Sequence, residues 1–363
     1  MRILHIINDL DTGGAQKLVA DLAVLQSERN NVHLEVATLF GAKDGVFKNW
    51  LESHTAIPVR SLNLRNPFMP SAVMKIRSII KDFDIVHAHL FPTGYLCVLS
   101  NTGLGKKLIY TEHSTTNRRR DHKILRPLEK TVYSKFDAIG CISDATRQNL
   151  LNWLGEKMAD KTLVIHNGVD LSGFRLPEPC NQHEIFGRVG KPVLMVSRFS
   201  KSKDHAAAVK SLSHISDPDV FMAFAGDGEC MEDIKMLAEE CGVRSRCVFL
   251  GTRTDIPRLI GASLIGLQSS RWEGFGLTAL EMMAGGLPVV ASDIEGLREV
   301  VGDAGLLFSP GDPIELADRI NALTSDSQLK SEVIAKCRKR SETFDIRNTA
   351  DNYLNLYRSL SGA

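Results

Sequence analysis

The stretch Arg271-Trp272-Glu273-Gly274-Phe275-Gly276-Leu277-Thr278-Ala279-Leu280-Glu281 places two carboxylates and two glycines directly before an apolar helical pattern. Glycine carries no Cβ, so the backbone of this turn can pass close to a ligand. The amides that follow the second glycine are predicted to be the unpaired donors of a helix N-terminus, where anions bind. The stretch therefore predicts a binding site for an activated, anionic donor such as a sugar nucleotide. A capped surface helix with two solvated glutamates is the structural alternative.

The composition indicates an ordinary globular chain. Its 363 residues are 43% hydrophobic, enough for two domains with their own cores. The formal net charge of +1 gives no global field toward nucleic acid or membranes. Seven scattered cysteines without a Cys-x-x-Cys pair indicate free thiols in a reducing compartment. With no apolar run of bilayer length and no signal peptide, a cytoplasmic protein is expected.

Two successive α/β domains are predicted from the alternation of short β-rich runs with helical patterns. Residues 1–170 form the first Rossmann-like domain, and residues 192–343 form the second. Between them, residues 171–191 are rich in Pro, Gly and polar side chains and are predicted to be a linker. A final helix over 344–361 is expected to pack back on the first domain. Two doubly wound domains facing a central cleft would bind ligands at the loops that follow the strands.

Several loops after strands of the first domain carry candidate residues. Gly13-Gly14 follows the first strand and can offer amides to a phosphate, but it is not the dinucleotide fingerprint. His87-Ala88-His89 ends the fourth strand without a spaced carboxylate or cysteine partner, so no metal is predicted. At most one of these histidines is expected to line the cleft. His113, in the loop after the fifth strand, is suited to hydrogen-bond a sugar hydroxyl, although a structural histidine fits the pattern nearly as well.

A basic patch, defined as Arg118–Arg126, lies beside the apolar residues Ile124, Leu125 and Leu128. Such a charge run is usually a solvated face. The functional interpretation is a site for an acidic or phosphate-bearing acceptor at the inner face of a membrane. Near anionic lipid each cation contributes roughly 1 kcal/mol, so its five Arg and Lys side chains would suffice to tether the protein. Both interpretations remain open at this point.

The second domain repeats the arrangement with cations and glycines. Arg198 and Lys203 share the loop after its first strand, where they are suited to neutralise a diphosphate. Gly226 lies in a glycine-spaced turn after the next strand, which lets a nucleotide approach. Arg253 follows the third strand, a position suited to stacking on a base or hydrogen-bonding it. Ordinary surface cations and tight turns are the structural alternatives.

Taken together, Gly13-Gly14, the pair Arg198 and Lys203, and Glu273 and Glu281 with seven residues between them resemble the retaining glycosyltransferases of family 4. These enzymes use nucleotide sugars and have the GT-B fold. The resemblance extends over nearly the whole chain. Each motif alone is weak, but their joint order and spacing are specific.

The resemblance implies a role for each part. Arg198 and Lys203 would hold the donor diphosphate, and Glu281 would accept hydrogen bonds from the ribose hydroxyls. Glu273 and the amides after it would hold the sugar hydroxyls and the β-phosphate. His113 would contact the sugar near its reacting centre. A UDP-sugar is expected from the habits of the family, with a glycan or lipid-linked saccharide of a cell-surface polysaccharide as acceptor.

The predicted site residues fall into three groups. The catalytic group is His113, Arg198, Lys203 and Glu273. The donor-binding group is Gly14, Arg198, Lys203, Gly226, Arg253, Glu273, Gly274, Phe275, Gly276, Leu277, Thr278 and Glu281. The acceptor-binding group is Gly13, His89, Arg118, Arg119 and Arg120. No metal ion and no cofactor are expected, since the nucleotide sugar is a substrate.

The carboxylates favour a particular mechanism. Glu273 and Glu281 are too far apart along the turn and helix to flank one carbon as a glycosidase pair does. A front-face transfer is more consistent, in which the leaving phosphate helps deprotonate the incoming hydroxyl while two cations stabilise its growing charge. Two alternatives remain, a nucleotide-sugar 2-epimerase on the same fold and a non-catalytic nucleotide-sugar binding protein.

Overall fold

The computed structural model describes residues 1–11, 13–41, 45–115, 118–174 and 180–362. The chain divides into two compact units. Unit 1 consists of Met1–Gly168 and Ile346–Ala363, and unit 2 consists of Val169–Asp345. All seven cysteines are free thiols, as the sequence predicts. In the described ranges, no helix combines the length and the apolar character that crossing a bilayer requires.

Unit 1 is built on a seven-stranded sheet in which every neighbouring pair is parallel. Its strands are β1 (Arg2–Ile7), β2 (His33–Thr38), β3 (Val59–Ser61), β4 (Ile85–His89), β5 (Lys107–Glu112), β6 (Ala138–Cys141) and β7 (Thr162–Val164). The spatial order is β3-β2-β1-β4-β5-β6-β7. The central strands are buried along almost their whole length, as expected for a parallel sheet covered on both faces.

Helices of unit 1 fill both faces of this sheet. They are α1 (Gly14–Ser27), α2 (Val46–His54), α3 (Pro70–Ile80), α4 (Thr93–Ser100), α5 (Arg126–Tyr133) and α6 (Asp144–Leu154). The terminal helix, Ile346–Ser361, shares one hydrophobic core with β1 and α1. Tyr353 and Tyr357, which form an apolar stripe in the sequence, are fully buried in that core.

Unit 2 holds a second parallel sheet of six strands in the order β10-β9-β8-β11-β12-β13. Its strands are β8 (Lys191–Val196), β9 (Val220–Ala225), β10 (Cys247–Phe249), β11 (Ile265–Gln268), β12 (Val289–Ser292) and β13 (Leu306–Phe308). Its helices are α7 (Gln182–Phe186), α8 (His205–Ser211), α9 (Met231–Glu240), α10 (Ile256–Ala262), α11 (Leu277–Ala284), α12 (Glu295–Val301), α13 (Pro313–Ser325) and α14 (Ser327–Glu342).

The segment predicted as a linker, 171–191, is partly regular and lies in unit 2. A 3-10 turn covers Leu171–Phe174, and α7 follows after Asn181, whose side chain caps it. Ile185 and Phe186 of α7 are buried. The Pro177-Glu178-Pro179 sequence that suggested a linker lies outside the described residues. One helix that the sequence pattern did not predict, α2, follows β2.

Candidate functional site

The strand order of unit 2 reverses between β8 and β11, which are neighbours in the sheet. At such a switch point the two loops leave the sheet in opposite directions, and ligands of open α/β sheets bind in the crevice between them. The two loops, 197–204 after β8 and 269–276 after β11, are those that hold the predicted cations and the glycine-spaced turn. The topology thus brings two separate motifs to one place.

An ion pair joins these two loops. Lys203 donates a hydrogen bond from Nζ to the Glu273 carboxylate, with both side chains only about a fifth exposed. Glu273 also accepts from the amide of Gly274 at 3.2 Å and lies 3.4 Å from Nε2 of the buried Gln268. The two residues predicted as catalytic on opposite loops are therefore direct partners. The pair places a cation and an acceptor of hydroxyl hydrogen bonds side by side.

Arg198 presents a more open cation on the same loop. Its side chain is 76% exposed and reaches Glu229 at 3.4 Å. An exposed pair of this kind contributes little to stability and separates readily. The guanidinium is thus available to an incoming anion, whose planar oxygens it can bind through two donors.

Gly226 is held against the loop that bears Arg198. Its φ of +143° is a glycine conformation, and a Cβ here would collide with the carbonyl oxygen of Ser197. The two backbones are further tied because Ser197 donates its amide to Ala225 at 3.0 Å. The sequence predicts that Gly226 leaves room for a nucleotide. In the structure, the missing Cβ instead leaves room for the backbone of Ser197 in the neighbouring loop. This packing fixes the backbone from which Arg198 projects.

The turn before α11 is shaped by a left-handed glycine. Gly276 has a φ of +101° and precedes the first helical residue, with no side chain capping the helix. A Cβ on Gly276 would lie 2.5 Å from Leu297, so a larger residue does not fit. The amides of Leu277 and Thr278 open the helix, where the first amides have no partner within the helix itself. These amides direct a positive dipole end toward the crevice loops.

Phe275 anchors this turn instead of facing a ligand. Its side chain is 2% exposed and meets Phe344 edge to face, with ring centroids 5.5 Å apart. Only its backbone remains for the donor contact predicted from the sequence. Glu281, the ribose candidate, lies on α11 and is partly exposed.

Arg253 has a partner within its own loop. Its Nε and Nη2 donate to the two carboxylate oxygens of Asp255 at 2.7 and 2.6 Å. These hydrogen bonds hold the pKa of Asp255 below its usual range. The bidentate pair occupies the donors that were predicted to bind a base, so Arg253 would contact a base only through its remaining face or after leaving Asp255.

In unit 1, His113 stands at the end of a line of histidines. Its Nε2 lies 3.1 Å from Nδ1 of His89, and Nε2 of His89 lies 3.0 Å from Nδ1 of His5. His5 completes the line with Nε2 at 2.8 Å from Oε1 of Gln26. Burial lowers the pKa of His113 and of His5 to about 4, and that of His89 well below its ordinary value. These imidazoles are therefore neutral near pH 7.

His87 extends a second branch toward the terminal helix. Its Nδ1 lies 2.5 Å from the hydroxyl of Tyr357, and its Nε2 lies 2.7 Å from Oγ1 of Thr111. Thr111 in turn meets the Tyr353 hydroxyl at 2.8 Å. Sequence reasoning missed this cluster, although the interruption of apolar β1 by His5 and the tyrosine stripe were visible signals.

His5, His87 and His89 place ring nitrogens within 4.8 Å of one another, close enough to ligate a metal ion. The third member, His5, is distant in sequence from the His-Ala-His motif, and for this reason the motif alone gave no metal prediction. All six ring nitrogens hydrogen-bond to protein groups. A metal would have to break several of these bonds.

His89, predicted to contact an acceptor, is fully buried. Its Nδ1 lies against His113, which is partly exposed. This placement argues against a direct contact with an acceptor and gives His89 a supporting position.

Gly13 and Gly14 are exposed at the start of α1, where Gly13 precedes the first helical residue without a side-chain cap. Their amides retain the predicted orientation of a helix N-terminus.

Two of the predicted acceptor arginines are paired with buried carboxylates. Arg119 donates from Nε to the buried Glu129 at 2.8 Å and lies over the ring of Phe91. Arg120, only 10% exposed, donates to Glu112 at 2.8 Å. The side chain of Arg118 lies outside the described residues. These ion pairs give both arginines a structural role, because a buried carboxylate requires a hydrogen-bonded cation.

Among the side chains of the basic patch that the structure describes, the exposed cations lie in its later half. Lys123 is exposed, and Ile124 beside it is 86% exposed. Leu128 adds a second exposed apolar side chain one turn later. Arg126 is exposed but donates from Nε to the Trp153 carbonyl at 2.5 Å. A mixed basic and apolar surface thus remains at the start of α5.

Comparison with known proteins assigns both halves of the chain to one kind of enzyme. Residues 12–172 match the family model for glycosyltransferase family 4, and residues 184–340 match the model for glycosyl transferases group 1. Among relatives, the chain is 28% identical to the D-inositol 3-phosphate glycosyltransferase of Xylanimonas cellulosilytica, over 76% of this chain and 72% of that one. It is 25% identical to the phosphatidyl-myo-inositol mannosyltransferase of Mycolicibacterium smegmatis, over 85% and 80%.

Among solved structures, the chain is similar to Anabaena Alr3699/HepE in complex with UDP and glucose. The TM-score is 0.88 and the sequence identity is 24%, over 99% of this chain and 100% of that one. This likeness shows the fold, two parallel α/β sheets covered by helices. The two family matches, in consecutive order along the chain, agree with that fold. The chain belongs to the group 1, family 4 glycosyltransferases and has the GT-B fold.

Proposed function

We propose that this glycosyltransferase is retaining and metal-independent. It transfers a sugar from a UDP-sugar to a glycan or lipid-linked saccharide in the synthesis of a cell-surface polysaccharide. The observation that carries the proposal is the pairing of Lys203 with Glu273 across the switch point of unit 2. Such a pair offers charge to a diphosphate and hydrogen-bond acceptors to a sugar at one location.

The diphosphate would bind to the cationic half of this site. Arg198 is open to solvent and can bind a phosphate directly. Lys203, which is paired with Glu273, would donate one of its remaining N–H groups to a phosphate oxygen. The amides at the start of α11 would add a dipole end next to the same anion. These groups do the work that a divalent metal does in other transferases, which is why no metal is expected.

The sugar and ribose would bind to the carboxylate half. Glu273 would accept hydrogen bonds from sugar hydroxyls, and Glu281 from the ribose hydroxyls. His113, neutral at pH 7, would contact the sugar near its reacting carbon. Carboxylates suit this role because an ionised Asp or Glu accepts hydrogen bonds and donates none.

The transfer itself would take place on one face of the sugar. The bond between the anomeric carbon and the leaving phosphate oxygen breaks, and the acceptor oxygen bonds to that carbon from the same side. The acceptor proton passes to the leaving phosphate, so charge and protons balance. Arg198 and Lys203 would stabilise the negative charge that grows on the phosphate in the transition state.

UDP as the nucleotide is supported by the Anabaena protein, solved with UDP and glucose. A lipid-linked acceptor is supported by the Mycolicibacterium relative, whose name gives a phosphatidyl-myo-inositol as the molecule that it mannosylates. The exposed Lys123, Ile124 and Leu128 would bring the enzyme to the lipid surface on which such an acceptor lies. Each exposed cation near anionic lipid adds about 1 kcal/mol of attraction.

A thermal-shift screen of nucleotides and nucleotide sugars tests the donor. A ligand that binds only the folded protein raises the melting temperature in proportion to the logarithm of its concentration over its dissociation constant. UDP-sugars are expected to give the largest shifts, with EDTA causing no change. Stabilisation by GDP- or ADP-sugars alone would replace the proposed nucleotide.

The product then separates the possible reactions. NMR of the donor with an acceptor is expected to show a new glycosidic bond of the donor's own anomeric configuration. An inverted configuration would refute retention. A new epimer from donor incubated alone would indicate the 2-epimerase, and binding without turnover across a broad acceptor panel would indicate a non-catalytic binding protein.

A further inference from the structure

His113 ends a buried line of three hydrogen bonds that begins at Gln26. The contacts run from the Gln26 amide to His5, from His5 to His89, and from His89 to His113. The line crosses from α1 through β1 and β4 to the loop after β5. Each member beyond His113 is fully buried. Solvent therefore does not compete for these bonds.

Neutrality gives this line a direction. A neutral imidazole has one N–H and one lone pair, so it donates from one nitrogen and accepts at the other. Burial keeps His5, His89 and His113 neutral at physiological pH, since their pKa values lie far below the ordinary value. Within each nitrogen–nitrogen contact, one ring must then donate and the other accept. The choice at one end sets the choice at every following ring.

The Gln26 oxygen makes that choice. In the structure, Oε1 of Gln26 faces His5, while Nε2 of Gln26 is buried without a hydrogen-bond partner among the described residues. In this orientation of the amide, the atom beside His5 is a carbonyl oxygen, which only accepts. His5 must therefore carry its proton on Nε2 and accept at Nδ1. His89 then donates from Nε2 and accepts at Nδ1.

The last step fixes His113. Its Nε2 must donate to Nδ1 of His89, so its own Nδ1 is left as a lone pair. In the described part of the chain, no group hydrogen-bonds to this Nδ1. The partly exposed ring thus presents an acceptor and not a donor to whatever binds beside it.

We propose that the line Gln26–His5–His89 is a tautomer relay, which holds His113 protonated on Nε2 so that Nδ1 accepts a hydrogen bond from a hydroxyl of the donated sugar. The substrate part of this statement rests on the proposed function. Gln26, His5 and His89 are positioning residues that act through His113. In the opposite tautomer, Nδ1 of His113 would carry the proton. It would then donate a hydrogen bond to an oxygen of the sugar and could not accept one from a hydroxyl group.

The tautomer can be measured directly on histidine labelled with ¹⁵N. Long-range proton–nitrogen correlations distinguish a protonated ring nitrogen from a bare one, and His113→Asn identifies the signals of His113. The wild-type protein is expected to show a protonated Nε2 and a bare Nδ1. A protonated Nδ1 in the wild-type protein overturns the proposal, whatever the enzyme's activity.

Three variants test the origin of this tautomer. Gln26→Met keeps the size of the side chain but removes the acceptor, and is expected to give a mixture of both His113 tautomers. Gln26→Glu keeps an acceptor and is expected to retain the wild-type signal. Tyr353→Phe is the matched control, because it removes one buried hydrogen bond from the neighbouring branch and leaves the relay intact. An unchanged His113 tautomer in Gln26→Met would overturn the proposal.

Activity and metal provide the remaining measurements. The kcat of Gln26→Met is expected to fall about ten-fold, the value of one hydrogen bond, while Tyr353→Phe stays near the wild type.

Adding UDP-glucose is expected to shift the His113 Nδ1 signal, and adding UDP alone is not. A Zn²⁺-induced shift of the His5 and His89 signals would identify a metal site and overturn the relay. If no donor is turned over but the Gln26-dependent tautomer is found, the proposed function fails and the relay stands.

Discussion

Lys203 and Glu273 form an ion pair across the two loops that meet at the switch point of the second sheet. Among the described residues, this is the one ion pair that either side chain forms. A pair that is four-fifths buried resists solvent but yields to a ligand that supplies a better match. Under the proposed function, the diphosphate of the donor would bind Lys203 and its sugar would bind Glu273.

The first prediction concerns the cation. Lys203→Met is expected to abolish the thermal shift caused by UDP-sugars and to lower kcat/KM at least about 100-fold, because charge on the leaving phosphate is no longer stabilised. Lys201→Met, an exposed lysine on the same loop, is the matched control and is expected to behave as the wild type. Thermal melting of the free proteins verifies folding. Normal turnover in Lys203→Met would refute the assigned role.

The second prediction separates the two carboxylates. Glu281→Gln is expected to weaken binding of UDP itself by about 10- to 100-fold, since a charge-assisted hydrogen bond to the ribose is lost. Glu273→Gln is expected to leave UDP binding nearly unchanged and to remove the extra affinity for the UDP-sugar. Calorimetric titration with UDP and then with the UDP-sugar measures both. The reverse pattern would exchange the two roles.

The third prediction uses a glycine with a backbone neighbour. Gly226→Ala is expected to destabilise unit 2 and displace the Arg198 loop, because the new Cβ meets the Ser197 carbonyl oxygen. Gly242→Ala is the control, since Gly242 also has a positive φ but its Cβ would meet nothing within 4 Å. The control should cost only about 1 kcal/mol of backbone strain. Equal melting temperatures for the two variants would show that the contact carries no cost.

The fourth prediction is a loss of stability in mild acid. Burial lowers the pKa of His5, His113 and His205 from 6.5 to about 4. The unfolded chain therefore takes up protons below about pH 6.5, whereas the folded chain does not until about pH 4. Proton uptake on unfolding means that the free energy of unfolding falls as pH decreases through this window.

Urea unfolding at a series of pH values measures this slope. His205→Gln is expected to flatten it, because one buried neutral histidine is removed, even though absolute stability also changes. A free energy of unfolding that is constant from about pH 7 to about pH 4 would contradict the prediction.

The loops of unit 2 were predictable because their information is local. A strand of apolar residues followed by a turn reveals where a parallel strand ends, and parallel strands end on one edge of the sheet. Lys203 and Glu273 are 70 positions apart, yet both follow such strand ends. The sequence thus indicated the site, while the direct pairing of these two residues required the strand order.

The histidine relay and the arginines were not predictable in the same way. His87 meets Tyr357 across 270 positions, and no local pattern encodes that contact. Arg119 and Arg120 are part of a run of cations that is usually a solvated face. Whether they are solvated depends on Glu112 and Glu129, whose burial is decided by tertiary packing. Local sequence gives the charge of a side chain but not its partner.

The fifth prediction follows from this division of the basic patch. If the patch contacts a membrane, the exposed Lys123 and Ile124 should carry the binding, because the internal Arg119 is already paired with Glu129. The double variant Lys123→Gln with Ile124→Ser is expected to reduce sedimentation with phosphatidylglycerol vesicles by about ten-fold, through one lost cation and one lost apolar contact. Lys157→Gln, at an exposed lysine elsewhere on unit 1, is the matched control. Transfer to a soluble saccharide should be equal in the wild type, the double variant and Lys157→Gln. Vesicle binding that survives in the double variant would place the membrane contact elsewhere.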